Sequence, residues 1–198
     1  FGRMLEACAS RTDSVVISTP PHMHAHQHAM ALHAGLPVYM EKPPTLVGAE
    51  LAEMIRLDRE DSTMVGFAHL LDPQRLALRR RLAAGEFGRM LSVTLAAIDP
   101  RTAAYYRRNT WAGRKHADGY PVFDSCLGNA KAHAVQNVLC WAGACGLTDW
   151  AGAGGLVAGF WRAHDIEGPD TVFVSARLPG GIPLRIALSH AGRQPGPC

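Results

Sequence analysis

Residues 14–44 read SVVISTPPHMHAHQHAMALHAGLPVYMEKPP, and this stretch decides the fold. Ser14-Val15-Val16-Ile17-Ser18 is a short β-branched run without alternation, the pattern of a strand buried on both faces. It stops at Thr19-Pro20-Pro21. Met23 to His33 then has helical composition, Gly35 ends the helix, and Val38 to Met40 is a second short apolar strand. Strand, helix and strand with tight connections form a right-handed, parallel βαβ unit. That geometry sets Thr19-Pro20-Pro21 and Glu41-Lys42-Pro43 side by side at one edge of one sheet, the edge where open α/β sheets hold ligands. The proline after Lys42 disfavours the α region for the lysine, so its ammonium stands at the carboxyl end of a strand rather than on a helix face. Taken alone, Glu41 and Lys42 also fit the solvated end of a strand.

Outward from this unit the alternation continues. Thr45 is placed to cap a helix whose apolar positions Val47, Leu51, Met54 and Ile55 fall at helical spacing through Arg59. Thr63 to Phe67 is a third strand, and two consecutive crossovers make a doubly wound sheet. Upstream, residues 3–10 are helix-like and Arg11-Thr12-Asp13 is a polar turn. Both ends look cut: the chain begins inside a helix without an initiator Met, and Gly196-Pro197-Cys198 follows directly on a strand. No G-x-G-x-x-G loop is present, and the glycines of 152–155 lack the strand-to-helix setting such a loop needs.

A second section begins near residues 67–73. Pro73 opens a helix closed at Gly85, and Met90 to Ile98 is an alternating strand. From Asp99 to Tyr120 the pattern is lost in a long loop carrying Arg107, Arg108, Trp111 and Arg114. Loops of that length tend to be functional or disordered. Asp124 or Ser125 caps an Ala-rich helix running to about Trp141 and closed by Gly143. Strands follow at roughly 155–163, 171–178 and 183–189, the last two joined by the turn Pro179-Gly180-Gly181. Strands without crossover helices indicate an antiparallel or mixed sheet. The fold class is therefore α/β: part of a doubly wound parallel sheet, then an α+β domain with a mostly antiparallel open sheet.

Composition excludes several function classes. Across 198 residues, 47% are hydrophobic and 19% charged, the values of an ordinary globular protein. The net charge of +3 is modest and its basic residues are dispersed, the densest run being Arg79-Arg80-Arg81, so no nucleic-acid footprint is expected. Five cysteines, without paired metal spacing, read as reduced thiols in a cytoplasmic protein. No leader and no long apolar run appear, which points to a soluble protein without membrane partners.

Two clusters could carry chemistry. On the Ala-rich helix Asn129 and His133 share one face, with Cys126 a turn before and Gln136 and Asn137 a turn after; Leu127, Ala130, Ala134, Val138 and Trp141 line the apolar face opposite. The polar stripe fits a solvated surface, although Asn and His are poorer helix formers than the Glu, Lys and Arg that usually fill one. The other cluster is His22, His24, His26 and His28, with His33 beyond. Its i, i+4 pairs could grip a metal, but no acidic or cysteine ligand lies nearby in sequence. We therefore assign no metal and read a helix start facing a polar cleft, with the remaining histidines solvated. No nucleophile elbow, HExxH or paired carboxylates at hydrolase spacing occur.

The ordered set VVISTPPHMH, ALHAGLPVYMEKP, MVGF, LRRRLAAGEFGRMLSV and DSCLGNAKAHAVQNVLCWAG resembles the glucose-fructose oxidoreductase and inositol dehydrogenase family, Gfo/Idh/MocA. The resemblance implies a partial Rossmann domain over residues 1–70 and a partial α+β domain over 71–198, which supplies substrate contacts and a homo-oligomer through its sheet. It implies NAD or NADP as cofactor and a sugar, inositol or related polyol as substrate, with Thr19, Pro20, Pro21, His24, Glu41 and Lys42 at the cofactor. Lys42 would hydrogen-bond the reacting hydroxyl, and the family's Asp-x-x-x-His falls on Asn129 and His133.

The chemistry agrees with that assignment. Hydride leaves a carbinol carbon only as the hydroxyl proton is taken, which calls for a base that titrates near neutrality, as imidazole does. A lysine nearby favours the developing alkoxide. Two departures stand out. Asn129 replaces an aspartate and carries neither charge nor proton. The first strands and the glycine loop are missing, so this chain by itself is expected to bind a dinucleotide poorly. The alternatives are a catalytically inactive sugar- or nucleotide-binding or regulatory protein of the same fold, and a metal-binding protein built on the histidines.

Overall fold

The computed structural model describes residues 1–144 and 154–192; Cys145, Gly152 and Cys198 lie outside them. Two compact units divide the chain. The first comprises residues 1–66 with 114–123, the second 67–113 with 124–198. The sequence reading placed one boundary at 70/71. The short return of 114–123 to the first unit was not legible, because a segment of that length has no periodicity of its own.

In the first unit α1 (Gly2–Cys8), β1 (Val15–Ile17), α2 (His24–His33), β2 (Val38–Met40), α3 (Gly48–Leu57) and β3 (Thr63–Val65) follow in order. The three strands are parallel in the order β1-β2-β3, with Ile17 beside Met40 and Met40 beside Val65. Gly35 ends α2 at a positive φ of 73°, which a residue with a Cβ adopts only with strain. The core is Leu5, Val15, Ile17, Ala31, Leu36, Val38, Met40 and Met54.

This core lies on one face of the sheet, which corrects the expectation of a strand buried on both. Val16 is 68% exposed and Met64 50%. Both crossovers step across the sheet in the same direction, and right-handed connections therefore carry α2 and α3 to the same side. A second correction concerns α3. Its N-cap is Val47; the Thr45 hydroxyl accepts a hydrogen bond from Val47 N at 3.1 Å and donates to Glu50, closing the turn ahead of the helix.

Residues 114–123 add a small hairpin, β5 (His116–Ala117) and β6 (Tyr120–Pro121), turned at Asp118 and Gly119 with positive φ at both. The expected loop of 99–120 is thus partly ordered. It holds this hairpin and also a short helix, Ala103–Tyr106, which belongs to the second unit.

The second unit contains α4 (Pro73–Ala83), β4 (Val93–Ile98), α5 (Ala103–Tyr106), α6 (Ala132–Ala144), β7 (Gly154–Trp161), β8 (Thr171–Leu178) and β9 (Ile182–Ser189). Asp72 caps α4 by accepting from Gln74 N at 2.9 Å. The sheet runs β4-β9-β8-β7, with β4 parallel to β9 and the other pairs antiparallel. Val172, Leu184, Ile186 and Leu188 are essentially inaccessible and pack with Cys126, Leu139 and Ala142. The other face carries Ile98, Val157, Trp161 and Phe173, each more than half exposed.

The Ala-rich helix departs most from expectation. Ser125 caps a π-turn over Cys126–Ala130, its hydroxyl accepting from Gly128 N at 2.9 Å, and α6 proper begins at Ala132. Ala130 N and Lys131 N reach back to the carbonyls of Ser125 and Cys126. The inserted turn rotates the faces, so Cys126, Val135, Leu139 and Ala142 meet the sheet core. The predicted polar stripe is not solvated. Asn129 and Asn137 are buried, and the helix also packs against α4, with Trp141 Nε1 donating to Arg75 O at 3.4 Å.

Candidate functional site

The carboxyl edge of the first sheet is formed by the turn after β1 and the loop after β2. Glu41 N donates to Ile17 O at 2.8 Å, continuing the ladder one step past the strand and holding the two segments together. Lys42 follows, half-buried, with its backbone N–H donating to the Glu41 carboxylate at 3.3 Å. The Lys42–Pro43 bond is cis. Thr19 is exposed, Pro20 half-buried and Pro21 buried at the head of a 3₁₀ turn leading into α2. The Thr19 hydroxyl donates to Gln27 Oε1 at 2.7 Å.

His24 sits at the centre of this edge. Its Nδ1 lies 2.8 Å from Pro43 O and its Nε2 2.8 Å from Thr19 O, so the ring joins the two loops. Both nitrogens are thereby engaged by protein carbonyls, and a cofactor contact through them is not part of this geometry. The remaining histidines also differ from the expected solvated set. His22 and His28 are buried, whereas His26 and His33 are exposed. His28 Nε2 pairs with the Thr63 hydroxyl at 2.9 Å, and burial holds its pKa below the ordinary value against the raising influence of Asp58. His22 Nε2 faces the Asp118 carboxylate at 3.4 Å, its ring stacks on Tyr120, and its buried Nδ1 has no hydrogen-bond partner. Sequence reasoning missed Asp118 and Tyr120, because nothing local to that hairpin points to a histidine far upstream. Among the described residues no group of three or more metal-ligating side chains occurs.

The second unit places the other predicted residues. Asn129 Nδ2 donates to Asp124 Oδ1 at 2.8 Å, and Asp124 Oδ2 accepts from Gly113 N at 2.7 Å. Asp124 lies just ahead of the Ser125 cap, outside the π-turn, and its carboxylate reaches Asn129 within it. His133 stands at the start of α6 with its ring 4.6 Å from that of His69 and edge-on to Phe67 at 5.9 Å. His69 escaped the sequence reading because it lies in a short 3₁₀ turn without a motif, and Phe67, read as the end of the third strand, stands past β3 at the head of that turn.

A polar network lies deeper in this unit. Asp170 is 1% exposed. Burial raises its pKa, but hydrogen bonds from the His164 and Ala163 backbone and the His164 ring outweigh that and hold the carboxyl below its ordinary range. The Tyr106 hydroxyl is hydrogen-bonded with His190 Nδ1 at 3.2 Å. Burial, reinforced by Arg101 and Lys131 and opposed by Asp99 and Asp170, lowers the His190 pKa to about 4. Burial also pushes the Cys126 thiol up to about 11, which makes it inert as a nucleophile at neutral pH.

Residues 3–69 match the model of an oxidoreductase family with an NAD-binding Rossmann fold. Over 98 residues the chain is 33% identical to an inositol 2-dehydrogenase of Rhizobium meliloti, a stretch that covers 48% of this chain and 29% of that protein. It is 38% identical over 91 residues to inositol 2-dehydrogenase 4 of Saccharopolyspora erythraea, covering 42% of this chain and 25% of the relative. In structure it is similar to the WlbA dehydrogenase of Bordetella pertussis, solved in complex with NADH and UDP-GlcNAcA. There the TM-score is 0.80 at 22% identity, over 96% of this chain and 56% of that one. The chain thus spans under a third of the curated relatives and about half of the solved structure.

Proposed function

We propose, from the match of residues 3–69 to the Gfo/Idh/MocA oxidoreductase family model, that the protein transfers hydride between a nicotinamide cofactor and the CH–OH group of a sugar, inositol or related polyol. The observation that carries the reading is Lys42 at the carboxyl edge of a parallel sheet, in the loop held against the Thr19-Pro20-Pro21 turn. Inositol leads the substrate candidates because the matched relatives are inositol 2-dehydrogenases.

The residues at this edge fit a dinucleotide's nicotinamide end. Thr19 to His22 and Glu41 to Lys42 offer hydroxyl, backbone and ammonium groups, and the buried Nδ1 of His22 has no hydrogen-bond partner within the protein. The nicotinamide supplies a hydride acceptor or donor; the remaining work falls to the chain. Lys42 Nζ donates to the substrate oxygen and stabilises negative charge as the C–H bond breaks. His133 takes the hydroxyl proton. Asn129 holds no charge, and Asp124, hydrogen-bonded to its amide, supplies the buried carboxylate that position 129 lacks. In the second unit the apolar sheet face with Ile98, Val157, Trp161 and Phe173 supports a homo-oligomer formed through it. No described helix is long and apolar enough to cross a membrane. The free thiols of Cys8, Cys126 and Cys140 support a cytoplasmic setting.

Turnover on a panel of inositols and sugars tests the proposal. Lys42→Ala should lower kcat about 10²–10³-fold with the fold intact. The alternative, a catalytically inactive binding or regulatory protein of the same fold, draws on the amide at position 129; it predicts nucleotide binding with no turnover of any member of the panel.

A further inference from the structure

The two ring nitrogens of His24 meet two carbonyl oxygens at the same distance, Pro43 O and Thr19 O both at 2.8 Å. The side chain is 1% exposed, so water does not take part. A neutral imidazole carries one N–H and one lone pair. Against two acceptors, the neutral ring satisfies one and presses a lone pair on the other. A ring with a hydrogen on each nitrogen donates to both, and these are charge-assisted bonds, the stronger class.

We propose that His24 is a positioning residue held as an imidazolium, bolting the turn after β1 to the loop after β2 and so fixing the backbone that carries Lys42. Pro43, one of the two acceptors, is the residue next to that lysine. The first turn of α2 is a poor place for a cation, because the helix N-terminus is itself positive. Burial opposes the charge as well, and the two charge-assisted hydrogen bonds, with the carbonyl dipoles standing in for a carboxylate, are what offset both costs.

The structural part of this inference stands alone, while its kinetic consequence rests on the function proposed above. The deciding measurement is the ¹⁵N spectrum of histidine-labelled 198-residue chain near neutral pH, with the His24 signal assigned by its loss in His24→Gln. Two protonated ring nitrogens are expected; one protonated and one bare nitrogen would overturn the proposal. If His24→Gln does not fold, the wild-type signal is assigned through bonds from the Thr19 and Pro43 side and still decides. In the active protein His24→Gln, which can donate in only one of the two directions, should lower kcat about 10- to 100-fold with KM held within about threefold, the loss of one charge-assisted hydrogen bond. Equal kinetics in variant and wild type would refute the positioning role. A protein with no turnover on any substrate would instead fail the proposed function, leaving the spectrum to judge the imidazolium.

Discussion

Lowering the pH from 7.5 to 5 should destabilise the second unit through His190. In the fold its pKa is about 4, against an ordinary value of 6.5. The cause is structural: the ring is 2% exposed, and Arg101 and Lys131 oppose added positive charge. The unfolded chain therefore binds a proton that the folded chain refuses, and stability falls as pH drops below 6.5 until the folded ring also titrates near 4. At pH ~5 the linkage amounts to about 2 kcal/mol, rising to about 3 kcal/mol in stronger acid. None of the four tryptophans falls in residues 1–66 or 114–123, so their fluorescence reports unfolding of the second unit selectively. Urea titrations of wild type and His190→Gln at the two pH values isolate the contribution. Wild type should lose about 2 kcal/mol more than the variant, or roughly 4–8 °C in Tm. Equal losses in the two proteins would refute the reasoning and show that His190 is not held neutral by its surroundings.

Two further outcomes follow from the described contacts. Asp124→Ala removes the acceptor of both Gly113 N and the Asn129 amide and should cost about 2–4 kcal/mol in the second unit, read by the same fluorescence, whereas Asp124→Asn keeps one acceptor and costs less. Val16→Thr, on the uncovered face of the first sheet, should change stability by no more than about 0.5 kcal/mol in circular-dichroism melts; a loss of about 1–2 kcal/mol would mean that face is covered in solution.

The order of elements was legible because each carries a local signal. The β-branched run at Val15, the glycine at 35 and the Pro73 helix start report on their own neighbourhoods, and the crossover rule converts that order into a parallel sheet. The edge holding Thr19, Glu41 and Lys42 followed from the same rule. What escaped depends on distance in sequence. Val16 looked buried because its strand is apolar throughout, and only the common direction of the two crossovers leaves its face open. The π-turn at Cys126–Ala130 has no periodicity to betray it; it comes from Ser125 and Asp124 tying down the residues that follow. His24 looked like a residue facing a ligand, since its two acceptors lie 5 and 19 residues away on different loops.

The most direct test of the account is a titration of the protein carrying this sequence with NADH and NADPH, followed by nucleotide fluorescence. Saturable binding of a reduced nicotinamide nucleotide, weakened by substitution at the Thr19–Lys42 edge, is the predicted result. No binding of either nucleotide, in a protein shown to be folded, would contradict the assignment of that edge to a cofactor and the oxidoreductase reading with it.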